Sequence, residues 1–141
     1  LENVEVRCLD ASRPDRSLEE GFDAVLLDVP CSGLGVIRKK PDIRYKDPKA
    51  LEALPGKQRT ILENRCSAVK KGGILLYATC TILKRENEDV IASFLAGHPE
   101  FTPEGFDLPG LGPVPAGMAT LYPGGALDTD GFFFCKLRRT T

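Results

Sequence analysis

Histidine is almost missing from this chain: His98 is the only one, and it stands before Pro99 in a stretch rich in glycine and proline. A Ser-His-Asp triad or a histidine-based metal centre would have to be built around that single ring, which makes both poor accounts of the chain. Tryptophan is absent, methionine occurs once, and no apolar run is long enough to span a bilayer. The chain opens at Leu1 with no basic-then-apolar leader, so the expectation is a soluble, cytoplasmic protein with no membrane partner. Excess charge is lacking too. Lys and Arg number 19 against 20 Asp and Glu, so any contact with nucleic acid has to be local. The five cysteines form no C-x-x-C pair, and their odd number argues against both a disulfide framework and a zinc site. The thiols are expected to be reduced. At 141 residues the chain suffices for one domain with a real core.

What is present is a pair of cysteines at the ends of two apolar runs. Ala24-Val25-Leu26-Leu27-Asp28-Val29 leads into Pro30-Cys31-Ser32-Gly33, and Ile74-Leu75-Leu76-Tyr77-Ala78 leads into Thr79-Cys80-Thr81. A buried parallel strand reads as a short continuous apolar run, and ligands bind outside the carboxyl ends of such strands. Two thiols and the Asp28 carboxylate therefore share one candidate site edge.

The patterning predicts strands over residues 4–9, 22–29, 74–79 and 131–137. Helices are expected over 57–69, stopped by Gly72-Gly73, and over 85–95. The second helix has Glu86, Glu88 and Asp89 early and Val90, Ile91, Phe94 and Leu95 on one face. Residues 97–131 hold eight Gly and six Pro, too many for regular elements. Leu108, Leu111, Met118, Leu121 and Tyr122 nonetheless point to an ordered loop packed on the body. Strands alternating with helices imply an α/β domain with a largely parallel sheet.

Each motif has a plain reading beside the functional one. An isolated Pro-Cys is a turn with a half-buried thiol. Gly33-x-Gly35 has Arg38 where a dinucleotide fingerprint needs its third glycine, which excludes that reading. Cys8, Cys66 and Cys135 fall inside strand or helix patterns and read as packing residues. The basic run Arg38, Lys39, Lys40, Arg44, Lys46 and Lys49 is either a solvated loop or positive charge set at the mouth of the site, where phosphates would lie.

Four segments taken jointly carry a resemblance: Asp28-Val29-Pro30-Cys31-Ser32-Gly33, the run Gly-Val-Ile-Arg-Lys-Lys-Pro-Asp-Ile-Arg at 35–44, Thr79-Cys80-Thr81, and Asp130-Gly131-Phe132-Phe133-Phe134. In that order they resemble the C-terminal half of the catalytic domain of RNA 5-methylcytosine methyltransferases, the NOL1/NOP2/Sun family, and within it the bacterial Sun/RsmB branch that modifies small-subunit ribosomal RNA. The resemblance covers nearly the whole chain. It implies a Rossmann-like α/β sheet that binds S-adenosylmethionine, with no metal and with RNA as the partner.

By the same resemblance Cys80 is the nucleophile and Cys31 assists product release. Asp28 lies near the base and the methyl donor, Asp10 and Pro30 contact the cofactor, and Arg38, Lys39, Lys40 and Arg44 face RNA. The family's glycine-rich cofactor loop would precede Leu1. Residues 1–141 are therefore expected to be the C-terminal part of the catalytic domain, lacking its first two strands, inactive alone and weak toward the cofactor. Strands 4–9 and 22–29 would each lack a neighbour, so either 4–9 moves beside 22–29 or another chain covers the gap. The competing readings are a DNA cytosine methyltransferase that uses Cys31 as nucleophile, a non-catalytic RNA-binding scaffold and, more distantly, a thiol redox protein.

Overall fold

A computed structural model describes residues 2–141. After a single 3₁₀ turn at Arg16–Leu18, β1 (Phe22–Asp28) begins the sheet. Two 3₁₀ turns, Leu34–Val36 and Pro41–Tyr45, lead to a short helix α1 (Pro48–Glu52) and to α2 (Leu54–Arg65). Then come β2 (Val69–Thr79), a 3₁₀ turn at Lys84–Glu86 and α3 (Glu88–Gly97). The remainder is all strand: β3 (Phe101–Pro103), β4 (Phe106–Leu108), β5 (Gly112–Val114), β6 (Met118–Leu121) and β7 (Phe132–Arg139).

The main sheet runs β1-β2-β7-β3, with β6 also on β7, and β4 and β5 form a separate hairpin. β1 and β2 are parallel, joined across α1 and α2, while β7 is antiparallel to β2, β3 and β6. This corrects the expectation of a largely parallel sheet. β1, β2, β3 and β6 share one direction, but the reversed β7 lies between β2 and the pieces beyond it, leaving a single parallel adjacency. A parallel neighbour needs a crossover helix, and β7 follows β6 through an irregular loop instead.

Alternation divides the sheet into two faces. Leu27 on β1, Leu75 and Tyr77 on β2, and Phe133, Cys135 and Leu137 on β7 are buried on one of them. Ile61 and Leu62 of α2 and Ile91 and Phe94 of α3 join the same core. In α2 the buried set Gln58, Ile61, Leu62 and Arg65 follows helical spacing, and Glu88 and Asp89 sit in the first turn of α3, where the helix dipole favours them. Ile74, Leu76, Phe132 and Phe134 occupy the other face only half-buried, and Leu26 there is 62% exposed.

Several expected boundaries move. Residues 4–9 form no strand and do not pair with β1, and Val4, Val6 and Leu9 are exposed. Alternation alone does not hold a strand without a ladder partner. Cys8 is accordingly exposed rather than packed, whereas Cys66 and Cys135 are buried as expected. β2 begins at Val69, not at 74. Its register against β1 jumps from Phe22↔Val69 to Ala24↔Ile74, and Gly72 takes a left-handed φ of 77° in that bulge. The glycine pair thus shapes a strand instead of stopping a helix. Residues 97–131 are more regular than their glycine and proline content suggests, because β3 and β6 find partners along β7.

Candidate active site

The parallel pairing of β1 and β2 places Asp28 opposite Ala78. The two turns that follow these strands emerge side by side, and Cys31 Sγ lies 3.1 Å from Cys80 Sγ although 49 residues separate them. The Cys31 turn is tied to the second turn and to β7 by backbone. Gly35 N–H donates to the Cys80 carbonyl at 3.0 Å, and Gly131 N–H donates to the Gly35 carbonyl at 2.7 Å. A side chain at Gly35 would put its Cβ 2.9 Å from the Cys80 carbonyl oxygen and closer still to that of Gly131, so only glycine fits.

In front of the thiols opens a cleft of about 850 Å³, within the size range of ligand sites. Asp28, Pro30, Cys31 and Cys80 form its floor and Lys39, Lys40 and Lys46 its basic rim. Asp28 also borders an apolar depression of about 400 Å³ on the uncovered sheet face, with Leu26, Leu76, Phe132 and Phe134. Behind the turns is a buried polar layer. Glu86, Gln58, Asn87, Ser32, Thr79 and Thr81 are all essentially sealed from solvent.

Burial, followed by the hydrogen bond with Cys80, pushes the Cys31 thiol up to about 12. Two thiolates 3.1 Å apart would repel strongly, and a pair of this kind carries at most one charge.

Residues 1–138 match the family model of 16S rRNA methyltransferase RsmB/F. The chain belongs to this family. It is 39% identical to a probable ribosomal RNA small subunit methyltransferase B of Bacillus subtilis, over 96% of this chain and 32% of that protein. It is 42% identical to ribosomal RNA small subunit methyltransferase B of Thermus thermophilus, over 96% of this chain and 33% of the relative. Among solved structures, NSun6 from Pyrococcus horikoshii with SFG superposes with a TM-score of 0.73 at 28% identity, over 99% of this chain and 35% of that one. The chain thus spans about a third of the length of the relatives it matches. Its fold is the α/β methyltransferase fold of these neighbours.

The fold brings together six of the nine site residues expected from the resemblance, since Asp28, Pro30, Cys31, Lys39, Lys40 and Cys80 line one cleft, with Lys46 of the basic run beside them. Arg44 is exposed and does not line it. Arg38 turns to acids, 3.2 Å from Asp128 and 3.4 Å from Asp130, and Lys39 Nζ is 2.7 Å from Asp130. These two cations anchor the basic loop to the start of β7, and they hold the Asp130 carboxyl below the usual range, Lys39 first. Asp10 is not among the cleft residues. Its carboxylate accepts from Ser12 N–H and Oγ, and its carbonyl accepts from Arg65.

His98 stacks on Phe94 at 4.3 Å and bonds Glu100, a packing role that keeps it outside the cleft. Sequence reasoning missed Glu86, read as a first-turn acid of a helix, and it gave Gln58 and Asn87 no role. All three are fully buried against the cysteine turns. A polar Glu-Asn pair directly ahead of an apolar helix face was the one local signal.

Proposed function

We propose that this chain carries the cysteine pair of an enzyme that methylates carbon 5 of a cytosine in small-subunit ribosomal RNA, through a covalent bond between Cys80 and carbon 6. The observation that carries the reading is the 3.1 Å approach of Cys31 and Cys80 at the carboxyl ends of two parallel strands, over a cleft with Asp28 on its floor and lysines on its rim. Residues 1–141 are then the C-terminal part of a cytoplasmic catalytic domain. The edge of β1 that is unpaired among the described residues, with Leu26 exposed beside it, is where further protein adds to the sheet.

Carbon 5 of cytosine is too weak a nucleophile to take a sulfonium methyl group unaided. A thiolate that adds to carbon 6 makes carbon 5 enamine-like and splits one difficult step into easier ones. Burial and the sulfur neighbour raise Cys31 and so disfavour its thiolate, and Cys31 Sγ lies within hydrogen-bonding reach of Cys80 Sγ. This favours Cys80 over Cys31 as nucleophile and supports the RNA enzyme over the DNA one. Asp28, exposed at the end of β1, is placed to bond the base edge and balance positive charge near it.

S-adenosylmethionine, where bound, supplies the electrophilic methyl group. Asp28 and Pro30 fit its neighbourhood because they line both the floor of the cleft and, for Asp28, the apolar depression beside it. A structural relative was solved with SFG, an analogue of that donor, which supports the assignment. Asp10, away from the cleft, is the weaker fit. Once carbon 5 carries the methyl group, water takes the carbon 5 proton, the electron pair of that bond closes the carbon 5–carbon 6 double bond, and the carbon 6–sulfur bond breaks to return the Cys80 sulfur with its electron pair; Cys31, in contact with Cys80 Sγ, assists this release. Lys40, Lys39, Arg38 and Arg44 supply phosphate contacts, the first two from the cleft rim. The base has to be unstacked to reach the thiols, which favours loops and junctions of the RNA as targets.

The test uses the complete gene product with S-adenosylmethionine and cytosine-containing ribosomal RNA. Protein–RNA adduct is followed on a denaturing gel beside methyl transfer. Cys31→Ala is expected to accumulate adduct and Cys80→Ala to form none. The reverse pattern would move the nucleophile to Cys31. No adduct and no methyl transfer from any form would leave the scaffold reading in possession.

A further inference from the structure

Two adjacent residues, Glu86 at the end of the last 3₁₀ turn and Asn87 at the cap of α3, reach different cysteine turns. Glu86 Oε2 accepts from the Ser32 N–H at 2.8 Å and from Gln58 Nε2 at 2.9 Å, and the same Gln58 nitrogen donates to the Pro30 carbonyl at 3.0 Å. The residues on either side of Cys31 are therefore gripped by one side-chain pair. Asn87 grips the other turn: Thr79 Oγ1 donates to Asn87 Oδ1 at 2.6 Å, and Asn87 Nδ2 donates to the Thr81 carbonyl at 3.0 Å, one residue on each side of Cys80. Tyr77 of β2 donates its hydroxyl to the Glu86 carbonyl at 2.7 Å and fixes the backbone that bears both clamps.

We propose that Glu86, with Gln58, and Asn87, with Thr79, are separate positioning residues, the first pair setting Cys31 and the second setting Cys80. A buried acid side chain is costly unless it is hydrogen-bonded, and Glu86 directs the bonds of its Oε2 to two donors that both lead to the Cys31 turn. The cleft side offers neither turn a comparable grip. There Lys46 Nζ reaches the Ser32 carbonyl, while Ser32 Oγ meets Thr81 Oγ1 inside the buried layer between the turns. Placing the two clamps on neighbouring residues locks the separation of the thiols to one short piece of backbone. The catalytic meaning of this arrangement rests on the function proposed above, whereas the clamps themselves do not.

The test therefore begins with a reaction-independent readout. In the complete gene product, iodoacetamide labelling of Cys31 and Cys80 is timed by peptide mass spectrometry for wild type, Glu86→Gln, Gln58→Met and Thr79→Val. These substitutions stay close in volume, and thermal melting confirms that each variant is folded. Glu86→Gln and Gln58→Met are expected to speed labelling of Cys31 roughly tenfold while leaving Cys80 near its wild-type rate, as loss of buried hydrogen bonding at that turn implies for local opening. Thr79→Val is expected to speed Cys80 alone. Parallel changes at both thiols, or none at either, overturn the proposal.

The adduct assay then reads the consequence. Loosening Cys31 should slow turnover on the order of 10- to 100-fold with adduct accumulating, and loosening Cys80 should suppress the adduct. If labelling separates the two clamps but Cys31→Ala accumulates no adduct, the clamps stand and the catalytic assignment of Cys31 falls.

Discussion

Cys31 differs from an ordinary surface thiol because folding partly buries it and gives it a sulfur neighbour at 3.1 Å. Cys66 and Cys135, raised to about 11 and about 12 by burial, share the first of these causes without the second. All three have folded-state values above the ordinary thiol value of 9.0. The unfolded chain therefore releases these protons first as pH rises. Their contribution to stability is complete below about pH 9 and is lost through the window up to about 11–12. Within it each thiol lowers stability by up to about 1.4 kcal/mol per pH unit. Urea melts at pH 8, 9 and 10 should show stability falling between 9 and 10, and a Cys66→Ala/Cys135→Ala double variant should show a shallower fall. An unchanged slope in the double variant would mean that these thiols are not what alkali titrates.

At the scale of elements, the decisive contact is backbone on backbone where the loop at Gly35 crosses the Cys80 turn and the start of β7. Gly35→Ala forces carbonyl groups apart instead of displacing a flexible side chain. The expected cost is about 1–3 kcal/mol, seen as a lower urea midpoint at unchanged slope, together with slower adduct formation in the Cys31→Ala background because the Cys80 turn is displaced. A wild-type midpoint would show that the loop yields freely.

The same elements explain what the sequence disclosed and what it withheld. A strand that ends in Pro-Cys or Thr-Cys-Thr leaves a local signature, so the meeting of both thiols and Asp28 at one edge was legible, and family motifs supplied the roles proposed for them. Glu86 was not legible. Its burial is decided by Ser32 and Gln58, which are 54 and 28 residues away, and nothing in Arg85-Glu86-Asn87 distinguishes a solvated first-turn acid from a sealed one. Residues 4–9 failed in the opposite way: they alternate like a strand, but a strand exists only where a ladder partner does. β3 and β6 were hidden among glycines and prolines because their pairing with β7 is long-range.

For the whole molecule, the two faces of the sheet are unequal. α2 and α3 seal one, while the other presents Leu26, Leu76, Phe132 and Phe134 beside a β1 edge that has no neighbour among the described residues. Val4 and Val6, which alternation had assigned to that neighbourhood, instead stand in solvent at 59% and 90% exposure. A contiguous apolar surface next to unpaired strand hydrogen-bonding groups drives association. The 141-residue chain is therefore expected to self-associate as its concentration rises, with β1 as the contact strand. Sedimentation velocity across a concentration series reads this directly. Leu26→Lys places a charge on the exposed face, makes no change in the core set by Leu27 and Tyr77, and should shift the distribution toward monomer while leaving the melting temperature nearly unchanged. A monomer at all concentrations, or a Leu26→Lys variant that associates as readily as wild type, would remove β1 from the role of contact strand. If the mutation instead lowered the melting temperature by many degrees, Leu26 would be part of the core despite its exposure.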